Sequence, residues 1–153
     1  QNGPHMVLGK HNYLVKHKAG EVARRLGNTL VAPVMAYVPE GDVDPPTGHM
    51  RFPGTITTPP GVFEQVLEFA ARSFKQHGFR DIALLGDSGG NQASQAAVAE
   101  RLNREWADTP VLELDSSEVS PEMSFSALLE WAGNGFKPER PEQSIDWIER
   151  LHG

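Results

Sequence analysis

The thirteen residues FRDIALLGDSGGN, Phe79 to Asn91, decide the fold. FRDIALL, Phe79 to Leu85, reads as a strand. Gly86–Asn91 is a tight Gly-rich turn, and an Ala-rich helix follows from Gln92 to Trp106, with Ala93, Ala96, Ala97 and Leu102 expected inward. Strand, turn, helix is half of a parallel βαβ unit, and the rest of the unit lies upstream. A helix over 62–77 places Val62, Phe63, Val66, Leu67, Ala70 and Phe74 on one face. Before it, TLVAPVMAYV at 29–38 reads as a second buried strand, irregular at Pro33. A helix over 12–26, apolar at Val15, Ala19, Val22 and Leu26, precedes that strand. The alternation predicts an α/β domain with a mainly parallel sheet.

In such sheets the loops after the strand C-termini carry the ligand site. Here those are 39–60 and 86–91. The first holds six of the twelve prolines, so a long structured loop is expected there. Beyond Asp108 the pattern weakens. Val111–Leu114 is a candidate short strand, and Ser124–Trp131 and Gln143–Leu151 are candidate amphipathic helices. The expected division is a domain over 1–105 and a divergent tail over 106–153 that packs on it.

Composition removes several function classes. The chain has 153 residues, enough for one domain with a core. Its formal charge of −6 speaks against nucleic acid or an anionic membrane surface as partner. No apolar run approaches the length of a bilayer span, so a soluble protein, cytoplasmic or periplasmic, is expected. With no cysteine, disulfides, thiolate ligands and a cysteine nucleophile are excluded.

Three segments hold residues that could carry chemistry. Gly86-Asp87-Ser88-Gly89-Gly90 matches the G-x-S-x-G nucleophile elbow in its strand–turn–helix context, which makes Ser88 a candidate nucleophile. A triad would then need Asp146 and His152 downstream. The plainer reading is a turn whose Asp87 or Ser88 caps the helix start. At the N-terminus, His5 and His11 are candidate imidazole ligands or solvent-facing loop histidines. In GHMRFPGTI at 48–56, His49 and Arg51 flank an aromatic in a loop set by Pro53-Gly54, a candidate substrate contact or a rigid loop with incidental polar residues. Asp42 and Asp44 read as solvated.

Together, QNGPHMVLGKHN at 1–12, GHMRFPGTIT at 48–57 and QHGFRDIALLGDSGGN at 76–91 resemble the creatininase (creatinine amidohydrolase) family. Its members look like E-Q-H-G-P-H-L-P-L-G-T-D, then E-H-x-x-F-P-G-T-I, then H-G-F and N-G-H-G-G-N. The resemblance covers about residues 1–105. It implies a three-layer α/β/α sandwich, a divalent metal pair (zinc or manganese) that activates water, and hydrolysis of a small cyclic or linear amide. It also implies self-association as a homo-oligomer, and a domain incomplete at its N-terminus, because family domains begin with a strand before E-Q-H.

The departures fall on the ligand positions. Asn2 stands where the motif has His, His11 where it has Asp, and Gly86-Asp87-Ser88 where it has Asn-Gly-His. A rebuilt metal set of His11, Asp87 and Glu118 is one expectation; loss of metal binding is the other. In the first, Ser88 and the Gly89 and Gly90 amides, with Asn91, orient water or substrate. His5 supports the ligands, and His49 with Arg51 lines the substrate mouth. The alternatives are an inactive creatininase-like binding and assembly module, and a serine hydrolase using Ser88.

Overall fold

The computed structural model describes residues 5–116. Three α-helices and two β-strands form in the order α1 (Lys10–Leu26), α2 (Pro60–Gln76), β1 (Ile82–Gly86), α3 (Gln92–Glu105) and β2 (Val111–Asp115). The candidate helices at 124–131 and 143–151 lie outside the described residues, as do Asn2, Glu118, Asp146 and His152.

β1 and β2 pair in parallel, with Ile82 opposite Val111 and Gly86 opposite Asp115. The connection between them is α3, so the strands form a βαβ unit, completed downstream by the candidate strand at 111–114 and not upstream by the run at 29–38. The sheet reaches Asp115, past the domain boundary expected at residue 105. Asn103, in the last turn of α3, fixes where β2 begins. Its side-chain amide donates to the Val111 carbonyl and accepts from the Val111 N–H, both at 2.8 Å.

The core lies between the sheet and the α2–α3 pair. It consists of Phe63, Leu67 and Ala71 of α2, Ile82 of β1, Val98, Ala99 and Leu102 of α3, and Val111 of β2. α1 lies on the other side. Gly86 has Gln95 of α3 against it, whereas the next residue, Asp87, is reached by side chains of α1. Alternation along an extended chain sends neighbours to opposite faces, and this places the helices in two layers.

Both inward faces are shifted from those expected. In α2 the buried stripe runs Phe63, Leu67, Ala71, while Val62 and Val66 are half-exposed. Phe63, Leu67 and Ala71 pack with Val98, Ala99 and Leu102 of α3, and 62 and 66 sit one residue to the side of that stripe. In α3 the buried residues are Ser94, Gln95, Val98, Ala99 and Leu102, with Ala93 and Ala96 exposed. Alanine contributes little burial energy, so Val98 and Leu102 set the rotation.

The strand expected at 29–38 has no regular secondary structure and pairs with no strand among the described residues. Pro33 offers no N–H for a ladder. A cavity of about 820 Å³ instead separates this segment from β1. It is lined by Val31, Met35, Leu67, Ala83 and Leu85, and also by Lys10, His11, Asp87 and Ser88.

The 39–60 loop is ordered by its own polar groups. Thr57 Oγ1 donates to the Gly41 carbonyl and accepts from the Glu40 N–H. Gly41 has φ +127°, and a Cβ there would fall 2.2 Å from the Thr47 carbonyl oxygen, so the loop requires glycine at this point.

Candidate functional site

Asp87 is the first residue past β1, and its side chain is only 3% exposed. A carboxylate buried this far needs both hydrogen bonds and a counter-charge. His11 Nδ1 lies 2.9 Å from Oδ2. Lys18 Nζ donates to Oδ1 at 2.8 Å, and Ser116 Oγ approaches Oδ1 at 3.2 Å. His11 and Lys18 are seven residues apart on α1, two turns, and therefore share a face. Lys18 also donates to the Ser116 carbonyl, and Ser116 Oγ donates to the Gly86 carbonyl at 2.7 Å. One charged group thus ties α1 to the C-terminal ends of both strands.

The electrostatics follow from these contacts. Burial alone would raise the Asp87 pKa, but the hydrogen bonds from Lys18 and His11 outweigh it and hold the carboxyl below the ordinary range. Asp87 is therefore an anion at neutral pH, compensated by Lys18. An imidazole with a carboxylate on Nδ1 keeps its proton there and carries its lone pair on Nε2.

The other candidates fall in three places. Ser88 and Asn91 line the same cavity as His11 and Asp87, while Gly89 and Gly90 sit exposed beside it. Ser88 has φ −152° and ψ 127°, relaxed extended geometry and not the strained turn of a nucleophile elbow. His5 is exposed in the turn before α1. His49 and Arg51 belong to the 39–60 loop. His49 Nδ1 is held by Glu40 Oε2 at 2.5 Å, and its backbone N–H donates to the Glu40 carbonyl at 2.9 Å. Glu40, not His49, lines the cavity.

Sequence reasoning missed Lys18, Ser116, Glu40 and Gln95. Asn91 Oδ1 and Gln95 Oε1 are buried without a hydrogen-bond partner among the described residues, and both side chains belong to the cavity wall. The signal for Lys18 was its place beside the apolar stripe of α1, four residues before the buried Val22.

A divalent metal needs at least three converging His, Asp or Glu donors in a protein with no cysteine. Among the described residues no such group forms. His11 and Asp87 converge, but the third position of the cluster belongs to an ammonium, a cation that repels another. The described residues do not fit a metal pair, and Glu118 lies outside them.

The family model described as creatininase, creatinine amidohydrolase, matches residues 1–149. Among solved structures, a mutant creatininase complexed with creatine aligns with a TM-score of 0.61 at 22% identity, over 89% of this chain and 54% of that one. A mutant creatininase described as Zn-Zn type gives the same score and identity, over 89% and 53%. A creatinine amidohydrolase gives 0.59 at 21%, again over 89% and 53%. No curated protein matches significantly. The chain thus spans about half the length of these solved creatininases. Its helices around parallel strands follow their α/β/α sandwich. With the family model reaching across nearly all of the sequence, the chain belongs to the creatininase family.

Proposed function

We propose that this chain is a creatininase-like amidohydrolase unit that takes a small cyclic or linear amide at the cavity and hydrolyses its C–N bond. The observation that carries the reading is the 2.9 Å contact between His11 and Asp87, residues 76 apart in sequence, both of which line the cavity. Asp87 keeps the proton on Nδ1, so Nε2 is the base. His11 accepts a proton from water as the water oxygen bonds to the amide carbon. The C–N bond then breaks, and the imidazolium returns its proton to the departing nitrogen. Ser88, Asn91 and the amides of Gly89 and Gly90 orient water or the carbonyl at the start of α3, and Glu40, which lines the cavity, holds His49 behind it. Self-association through a family-type interface belongs to the same reading.

The test is release of ammonia or amine from creatinine and from a panel of small cyclic and linear amides. Wild type turns over at least one of them, and His11→Ala and Asp87→Asn lower the rate by about 100-fold or more, the usual weight of a general base. Equal rates in wild type and His11→Ala remove the reading. Covalent labelling of Ser88 by a fluorophosphonate would instead identify a serine hydrolase.

One observation favours a second reading, a creatininase-like binding and assembly module without catalysis. Both Asp87 oxygens are already engaged by protein groups, Oδ2 by His11 and Oδ1 by Lys18. No turnover on any amide, with a preserved oligomer, selects it.

A further inference from the structure

We infer that Lys18 is a resident counter-ion that takes the place of a divalent metal at Asp87, so that the His11–Asp87 site binds no zinc or manganese while Lys18 is present. The inference deepens the site of the proposed function and concerns its cation, not its turnover.

Three observations on different groups support it. First, the carboxylate of Asp87 is almost fully buried and must be compensated, and the compensation is already complete. Lys18 Nζ stands 2.8 Å from Oδ1, with the Lys18 side chain itself 14% exposed. A second cation has no charge left to neutralise there and meets an ammonium a few ångströms away, in a setting where water screens poorly. Second, the ammonium is anchored. It donates to the Ser116 carbonyl as well as to Asp87, and the Ser116 hydroxyl in turn donates to the Gly86 carbonyl with Oδ1 3.2 Å away. Moving Lys18 aside for a metal would leave a backbone carbonyl and a carboxylate oxygen without their donor. Third, His11 and Asp87 converge, and among the described residues they form no group of three metal-type donors.

An imidazole backed by a carboxylate is also how zinc-binding histidines are commonly held. The ammonium is what separates the two cases. A zinc histidine backed by a carboxylate does not need a lysine on the same carboxylate. Here Lys18 is fixed by two acceptors, the Asp87 carboxylate and the Ser116 carbonyl, each the first residue past a strand. Lys18 is therefore a positioning residue: it holds Asp87, and through Asp87 it holds His11.

The experiment is titration of the full chain, free of any polyhistidine tag and stripped with a chelator, with zinc and separately with manganese. Wild type, Lys18→Arg, Lys18→Met and His11→Ala are compared, with circular dichroism to check folding. Wild type and Lys18→Arg should give the same isotherm as His11→Ala, so that any zinc bound resides on other histidines. Lys18→Met should gain about tenfold or more in zinc affinity, since a like charge is removed and a carboxylate is left uncompensated. That gain should disappear in Lys18→Met/His11→Ala. A mere structural role for Lys18 predicts no such gain. Stoichiometric zinc in wild type that is lost in His11→Ala overturns the inference, as does a folded Lys18→Met with unchanged affinity. If Lys18→Met does not fold, the comparison of wild type and Lys18→Arg with His11→Ala still decides. Amide turnover is a separate readout: its absence removes the proposed function and leaves this result standing.

Discussion

Lys18 and Asp87, 69 residues apart in sequence, form an ion pair at 2.8 Å whose two side chains are 14% and 3% exposed. Such a pair need not stabilise the fold relative to two apolar residues, but breaking one side of it is costly. Asp87→Asn leaves a mostly buried ammonium without its anion and should destabilise the chain by roughly 3 kcal/mol. Lys18→Met should cost about as much. The double variant should cost clearly less than the sum, because neither charge is then stranded. Urea melts of the four proteins check this, and additive losses would show that the pair is not coupled.

The same contact sets the acid limb of stability. The Asp87 pKa is held below its unfolded value: burial opposes this, and the Lys18 and His11 hydrogen bonds prevail. A carboxyl depressed by folding stabilises the native state above its unfolded pKa of about 3.9, and that contribution is lost as pH falls through the lower folded value. Glu113 has the opposite sign. Burial first, then the neighbouring Asp115, raises its pKa, and its Oε1 has no partner among the described residues. Its contribution turns unfavourable as pH rises through its unfolded pKa. Glu113→Gln should therefore gain up to about 1 kcal/mol at pH 7, the gain limited by solvent screening, and nothing once the pH is low enough to protonate the glutamate in both states. Melts at pH 3.5 and 7 separate the two residues. A Glu113→Gln gain of equal size at both would show that packing, not charge, is responsible.

Asn103 and β2 offer a test of the sheet edge. Two hydrogen bonds from one side chain to the backbone of Val111 replace the ladder partners that the first residue of a strand lacks. Asn103→Ala removes both and should cost about 1–3 kcal/mol. Asn103→Asp keeps the acceptor for the Val111 N–H but sets a carboxylate against the Val111 carbonyl, so it should not recover the loss. Faster amide exchange confined to 111–115 is the accompanying sign. A loss spread evenly over the chain would point to a different role.

What the sequence made legible has a physical pattern. The turn at 86–91 was readable because an apolar strand, two glycines and an Ala-rich helix are all local signals, and β1 and α3 form within three residues of their expected bounds. The convergence of His11 on Asp87 was reached through the paired exchange of imidazole and carboxylate between two motifs. Lys18 was not read, because a lysine in mid-helix looks like a solvated residue until something 69 positions away neutralises it. Ser116 and Asn103 were missed for the same reason: their roles are set by strand ends that only the tertiary fold brings near. The segment at 29–38 was read as a strand from composition alone. Composition reports the wish to be buried, not the presence of a hydrogen-bonding neighbour.

Gly86 of β1 lies close against Gln95 of α3. A Cβ there would fall 2.4 Å from Gln95 Oε1 and 3.2 Å from its Cδ, in a backbone conformation that any residue can adopt. The constraint is therefore space, not dihedral angle. Gly86→Ala must push the buried Gln95 amide aside, toward the cavity it lines, and should cost about 1–3 kcal/mol, the usual range for overpacking. Because the obstacle is the far end of one side chain, Gly86→Ala/Gln95→Ala should recover most of that loss. Gln95 Oε1 has no partner among the described residues, so its removal strands no donor of the protein. Thermal melts of wild type, both single variants and the double variant measure the coupling. If the double variant is no more stable than Gly86→Ala alone, the backbone of α3 and not the glutamine side chain sets the limit, and residues 86–95 are packed more tightly than this contact indicates.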